Sequence, residues 1–209
     1  MYKQLSAEQQ EKIINTAICE FADKGYSNSS VSRIAKGAGV SVGVIYKYYE
    51  DKAALFNACI KKSIALLVDS LKTAGEAGGS LYDIMRRVIR SNISFAKSDP
   101  DYIRMYHTIV SGDTPEDASN ITKEIEKAAA DTYISAVERA KKHGEIRADV
   151  DTGALAMFFD NMMMMLHFSY ACDYYKERYQ MYVGEDIFDK DSWMEEQLML
   201  FFRNGFGTL

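Results

Sequence analysis

The sequence predicts an all-α protein of about nine helices. Three observations carry this reading. Apolar residues recur at three- and four-residue spacing along most of the 209-residue chain, and no stretch alternates with a period of two. The two prolines sit in Asp99-Pro100 and Thr114-Pro115, where a capping side chain precedes a residue suited to the first helical position. Gly25, Gly39 and Gly144 fall at the ends of periodic runs, where a helix needs a stop.

The first helix spans Ala7–Lys24, with Ile14, Ala17, Ile18 and Phe21 on one face and Gly25 as its stop. Two short helices follow, Ser30–Lys36 and Val42–Tyr48. A fourth, Lys52–Thr73, is long enough to join an N-terminal head to a larger body. Ala74–Ser80 reads as a helix–helix turn. The fifth helix, Leu81–Lys97, gathers Leu81, Ile84, Met85, Val88 and Ile89 on one face. Asp99 caps the sixth, which carries Ile103, Tyr106, Ile109 and Val110. The seventh is expected to begin at Thr114-Pro115 and end at His143-Gly144, with Ile121, Ile125, Ala128, Ala129, Thr132, Ala136 and Val137 as its stripe. Glu145–Asp151 is a connector. The eighth helix runs from Thr152 into Lys176, and the ninth spans Ser192–Arg203.

The most informative segment is Val31–Tyr48, VSRIAKGAGVSVGVIYKY. Two short helices that cross closely need small residues where they touch, and Ala35 supplies one. The turn between them needs a residue tolerant of positive φ, and Gly39 meets that need. Ile34, Ala38, Val40 and Ile45 are spaced to seal the angle. Ser29 or Ser30 can cap the first of the pair and Ser41 the second. This is the pattern of a helix-turn-helix.

The flanks extend it. Phe21-Ala-Asp-Lys-Gly-Tyr26, Val31-Ser-Arg-Ile-Ala35, Ala38-Gly-Val-Ser41, Ile45-Tyr46 and Lys52-Ala-Ala-Leu-Phe56 stand in this order. Together they resemble the N-terminal DNA-binding domain of the TetR family (TetR/AcrR type) of bacterial transcriptional regulators. The resemblance covers about a quarter of the chain. It implies a helix-turn-helix domain over residues 1–52, and an effector-binding and dimerisation domain over 53–209. It also implies that Ser41, Val42 and Gly43 enter the major groove, with Val44, Tyr46, Lys47 and Tyr48 following. Lys52 matches the family's phosphate-clamping lysine, and Ser29 and Ser30 fall where a hydroxyl lies near the DNA backbone. Position 44 departs from the common pattern: Val replaces the usual Thr or Ala and donates no hydrogen bond. No Gln, Asn or Arg occupies the early turn of that helix, so thymine-methyl contacts and DNA shape gain weight over hydrogen-bonded readout. Tyr46 and Tyr48 are also candidates for packing inside the small domain. Arg33 reads as solvated.

Charge agrees with this placement. Met1–Lys62 holds nine Lys/Arg against six Asp/Glu, while the other 147 residues hold 16 against 24. Phosphate binding needs local positive charge, not a basic protein.

The eighth helix, with Met157-Phe-Phe-Asp-Asn-Met-Met-Met-Met-Leu-His-Phe-Ser-Tyr170, is apolar nearly all round. Such a helix is buried on more than one side. The resemblance implies a homodimer, and Phe158, Met165, Trp193, Met194, Leu198, Phe201 and Phe202 are its candidate interface. It also implies a small, largely apolar effector, for which Tyr102, Tyr106, His107, Tyr133, Met162, Met163, Leu166 and His167 are candidate contacts. The bland alternative for that set is core or interface packing. Asp160 is costly if buried without a partner, and reads as structural or as an anchor for a cationic effector.

Other classes find no support. His107, His143 and His167 lie far apart with no HExxH and no Cys partner at zinc spacing, so neither a metal nor a cofactor is expected. No phosphate-binding glycine loop and no nucleophile elbow occur, which argues against an enzyme. Cys19, Cys59 and Cys172 form no disulfide framework, and the start of the chain is no signal peptide, so a cytoplasmic location without membrane contact is expected. The expected partners are double-stranded DNA bearing an inverted repeat, a small effector and a second copy. A ligand-independent architectural DNA binder and a helical interaction module without specific DNA binding remain as alternatives.

Overall fold

The computed structural model describes residues 5–116 and 118–207, without the side chains at 67, 70, 71, 75, 119–122, 124, 125 and 128. The described residues form ten α-helices and one 3₁₀ helix: α1 (Ala7–Asn28), α2 (Val31–Ala38), α3 (Val42–Tyr49), α4 (Lys52–Glu76), α5 (Leu81–Ser98), α6 (Pro100–Val110), α7 (Ala118–Lys142), α8 (Thr152–Ala171), α9 (Asp173–Val183), the 3₁₀ helix Glu185–Asp189, and α10 (Asp191–Phe206). The all-α expectation holds. No described helix is long and apolar enough to cross a membrane. The part of the α7 stripe assigned to Ile121, Ile125 and Ala128 lies outside the described side chains.

Contacts divide the chain into two compact units. One comprises Met1–Ala65 and Asp101–Ile125; the other comprises Leu66–Pro100 and Glu126–Leu209. The first therefore reaches past residue 52 and takes in α6, a division that sequence periodicity gives no sign of.

In the first unit, α1 opens with a reciprocal capping box between Ser6 and Gln9. It buries Ile13, Ile14, Ala17, Ile18 and Phe21. At Gly25 the backbone turns to φ 71°, ψ 175°, and the helix kinks before resuming to Asn28. The predicted stop is thus a bend. Beyond it, Tyr26 swings back so that Phe21, Tyr26 and Phe56 form an edge-and-stack cluster with centroids 4.9–6.4 Å apart. Two of the sequence pieces read as one motif thereby meet in space.

In the second unit, Ser80 and Asp83 form another capping box at the start of α5. Asp151 caps α8 through the Ala154 N–H at 2.8 Å. The core gathers Met85, Val88 and Ile89 of α5, Val137 of α7, Leu155, Phe159, Met163 and Leu166 of α8, and Met194, Met199 and Phe202 of α10. Helices α8 and α10 run antiparallel: Phe159 meets Phe202 at 5.0 Å, and at the other end Tyr170 donates to Asp191 at 2.9 Å.

Two boundaries differ from expectation. Helix α7 begins at Ala118, whose N–H closes a turn on the Pro115 carbonyl at 3.1 Å, so that proline shapes the lead-in. The expected helix 152–176 breaks at Cys172, which is extended (φ −117°, ψ 125°). The break lets Tyr175 pack back on Phe168 at 5.3 Å and starts a separate helix, α9. No Gly or Pro marks it.

Candidate nucleic-acid interface and effector region

Helices α2 and α3 are held as the spacing requires. Gly39 takes the left-handed conformation (φ 73°, ψ 31°), and the Val40 N–H returns to the Ala35 carbonyl at 3.0 Å. Ser30 caps α2 through the Arg33 N–H at 3.4 Å, and Ser41 caps α3 through the Val44 N–H at 3.3 Å. Ile34, Ala35, Ala38 and Ile45 are buried in the angle, while Val40 is half-buried. Between α1 and α2 a glycine makes a close approach that the sequence reading did not single out. A Cβ on Gly37 would stand 2.7 Å from the Thr16 Cγ2.

With Ile45 buried, the opposite face of α3 is open. Ser41, Gly43 and Lys47 are exposed, and Tyr46 is 44% exposed. Val42 and Val44 are half-buried. The nearest atom to a Cβ built on Gly43 is the Ser41 Oγ, at 3.9 Å, so the start of the helix offers bare backbone. Tyr48 serves the fold, because its hydroxyl accepts the Leu5 N–H at 2.7 Å. Ser29 is buried, and its hydroxyl donates to the Tyr26 carbonyl at 2.7 Å, which turns it away from the role expected for it.

Lys52 opens α4. Its ammonium lies 4.7 Å from the centre of the Tyr26 ring and donates to the Ser27 carbonyl at 3.4 Å. Burial lowers its pKa, against the raising pull of Asp113 and Glu20. The residue before its helix cap, Glu50, carries φ 52°, a strained value for a side chain with a Cβ. Arg33 is not simply solvated. It donates to Glu20 at 2.7 Å and to the Asn28 carbonyl at 2.9 Å. Burial alone would raise the Glu20 pKa, but the hydrogen bonds from Arg33 and from the Ser30 N–H bring it below its ordinary value.

The candidate effector residues separate. Tyr102, Tyr106 and His107 belong to the first unit, where the Tyr102 hydroxyl donates to Asn15 at 3.1 Å. Burial lowers the His107 pKa. Tyr133, Met162, Met163, Leu166 and His167 belong to the second. There, an apolar cavity of about 40 Å³ lies between α5, α7 and α8, walled by Ile84, Met85, Val88, Tyr133, Leu155 and Phe159 among others. Of the candidates only Tyr133 lines it; Met163 and Leu166 are core and Met162 packs against them. His167 is buried with no hydrogen-bond partner on Nε2, and burial pushes its pKa down to about 4. Beside the cavity wall, burial and the Glu126 charge push Asp160 up to about 6. Sequence reasoning named neither the α5 wall nor the cavity, because periodicity tells a buried face from an exposed one but not a filled core from a void.

The interface candidates also separate. Phe158, Met165, Trp193 and Phe201 are exposed, joined by Met157 and Leu200. Leu198 is half-buried against the core. Met194 and Phe202 are corrections: they are 2% and 1% exposed and belong to the core of their own unit. Helix α10 turns that face inward, against α5 and α8.

These features define a helix-turn-helix protein with an all-α body. Residues 13–59 match the family model of "Bacterial regulatory proteins, tetR family". The chain is 30% identical over 136 residues to the Bacillus subtilis (strain 168) protein named "Uncharacterized HTH-type transcriptional regulator YuxN", covering 62% of this chain and 45% of that protein. It therefore spans less than half the length of that relative. The fold matches the crystal structure of the transcriptional regulator FadR from Bacillus subtilis in complex with stearoyl-CoA (TM-score 0.70, 19% identity, 91% of this chain and 97% of that one). It also matches the ketosteroid transcriptional regulator KstR2 of Mycobacterium tuberculosis (TM-score 0.72, 14% identity, 99% and 98%). Residues 13–59 are thus similar to the N-terminal domain of the TetR family of bacterial transcriptional regulators, and the fold of the described residues is that of solved regulators of this kind.

Proposed function

We propose that this chain is a homodimeric repressor that holds an inverted repeat through two copies of α3 and releases it when a small, largely apolar effector binds the second unit. The observation that carries the reading is the two-sidedness of α3. Ile45 anchors it inward, while Ser41, Gly43, Tyr46 and Lys47 stand open at a capped N-terminal end. Such a helix presents backbone and side chains to a major groove, with Lys52 at the next N-terminus for phosphate. The apolar cavity between α5, α7 and α8 supports an apolar ligand. At about 40 Å³ it falls well below the roughly 300 Å³ of an ordinary ligand site, so binding requires those helices to part. In this reading the effector also moves α4, whose residues fall in both units. DNA and effector then oppose one another by a coupling free energy of about 1–3 kcal/mol.

The small cavity also favours a second reading, a DNA binder that needs no effector. Selection of bound duplexes from a random pool at two salt concentrations tests the first part. Enrichment of an inverted repeat is the expected result; no enrichment at either salt overturns it. The enriched duplex then allows a screen for DNA release. Release by an apolar compound separates the first reading from the second, and its absence across a broad panel favours the second.

A further inference from the structure

Asp113, in the turn between α6 and α7, reaches the kink of α1. Its carboxylate accepts the Ser27 N–H at 3.1 and 3.3 Å and the Ser27 hydroxyl at 2.5 Å. A Cβ on Gly25 would overlap the Asp113 Oδ2, so the glycine makes room for this carboxylate as well as bending the helix. On its other side, Ser27 gives its carbonyl to the Lys52 ammonium at 3.4 Å. Ser27 is thus a bridge: its two donors go to Asp113 and its acceptor goes to Lys52. The two sides of the bridge belong to adjacent peptide groups of one residue, so a shift of Ser27 at one side moves the other, and the Asp113 charge acts on Lys52 through space.

We infer that Asp113 is a positioning residue for DNA binding, which sets how Lys52 is shared between the protein and a phosphate. This rests on the reading of Lys52 as a phosphate contact. A carboxylate that holds the far side of the bridge keeps the ammonium drawn to Ser27. A movement of the α6–α7 turn that withdraws Asp113 frees the ammonium for DNA, and a movement that presses it in does the reverse. The α6–α7 turn thereby gains a direct hold on the DNA contact, separate from any displacement of α4.

A structural staple alone makes a different prediction, because its loss changes stability but not the response of binding to salt. The test is binding of full-length protein to a mixed-sequence duplex across a salt series, for wild type, Asp113→Asn, Lys52→Ala and the double variant. Asp113→Asn keeps the shape and an acceptor and removes the charge. The expected result is binding about three- to tenfold tighter at low salt, with a steeper salt dependence. In the Lys52→Ala background the same change moves affinity less than about twofold, as coupling through Lys52 requires. Equal tightening in both backgrounds overturns the proposal in favour of general charge repulsion, and no change in either overturns it in favour of a staple. If Lys52→Ala itself alters neither affinity nor salt slope, the phosphate reading of Lys52 fails and this inference falls with it, a result distinct from the other two. Ser27→Ala removes one hydrogen bond and no charge, so it serves if Asp113→Asn does not fold. It is then expected to shift affinity by about twofold or more in the wild-type background alone.

Discussion

Gly43 and Asp160 show how single positions separate function from folding. Gly43 lies in the first turn of α3, with no atom nearer than 3.9 Å to the place of a Cβ. Its φ is not among the positive ones, so any residue can take its backbone conformation. Gly43→Leu is therefore expected to keep or raise the melting temperature, since leaving glycine favours a helix by up to about 1 kcal/mol. The same side chain stands between α3 and whatever docks there, and duplex affinity is expected to fall by about tenfold or more. Unchanged affinity in a well-folded variant removes α3 as the docking face. Asp160 makes the complementary case. Burial and the Glu126 carboxylate raise its folded pKa from 3.8 to about 6. A carboxyl with a raised folded pKa contributes stability that is full below its unfolded pKa and is lost as pH rises through the folded one, here between pH 3.8 and about 6. Asp160→Asn mimics the protonated form at every pH. Its melting temperature is expected to exceed that of wild type at pH 8 and to approach it at pH 4. Equal differences at both pH values locate Asp160 in a solvated environment instead. His167 titrates with the opposite sign, because its folded pKa is depressed and stability is lost as pH falls; comparing the variant with wild type at each pH cancels that contribution.

At the scale of elements, the fit of α1 on α2 rests on a contact of one missing carbon. Gly37 brings the α2 backbone against the Thr16 methyl, and a Cβ 2.7 Å away requires the Thr16 side chain or one of the helices to shift. Gly37→Ala is expected to destabilise the protein by about 1–3 kcal/mol, against its small gain in helix propensity. Thr16→Ser removes the methyl, so the double variant is expected to recover most of the loss in a denaturant melt. Failure of the rescue places the strain elsewhere in α2. This contact also marks what the sequence made legible. Helix caps, the left-handed Gly39 and the buried faces of α1, α2 and α5 follow from local rules, because each is decided within a turn or two of chain. The Gly37–Thr16 approach, the Arg33–Glu20 pair, the break at Cys172 and the assignment of α6 to the first unit depend on what arrives from distant sequence. Of the residues the motif nominates for DNA, Ser29 and Tyr48 bond within the fold, while Ser41, Gly43, Tyr46 and Lys47 are exposed at α3. Which apolar residues line the cavity is not legible, since an apolar helix reads alike whether it lines a cavity or fills a core.

For the whole molecule the decisive question is what covers α8 and α10. On α8, Met157, Phe158, Asn161 and Met165 form an exposed stripe; on α10, Trp193, Gln197, Leu200 and Phe201 form another. The two helices pack antiparallel through their inner faces, so the stripes belong to one surface layer. Six large apolar side chains in such a layer exceed what a monomer commonly leaves in contact with water, and suit a self-complementary two-fold interface. The opposite faces of the same helices give a control within one element. Phe201 is 53% exposed and Phe202 is 1% exposed. Phe201→Glu, or Phe158→Glu on the other helix, is expected to leave the helical content intact and to yield a monomer in sedimentation at micromolar concentration, because a buried interface would have to desolvate two like charges. Phe202→Ala is expected to lower protomer stability by about 3–5 kcal/mol through a core cavity, without creating a folded monomer. DNA binding then links the two scales. In the proposed reading, a monomer with one α3 would keep its phosphate contacts but lose the second half-site, so its preference for an inverted repeat over mixed-sequence DNA is expected to collapse while weak, salt-sensitive binding persists. A Phe201→Glu protein that still sediments as a dimer and still selects the repeat moves the interface off α8 and α10.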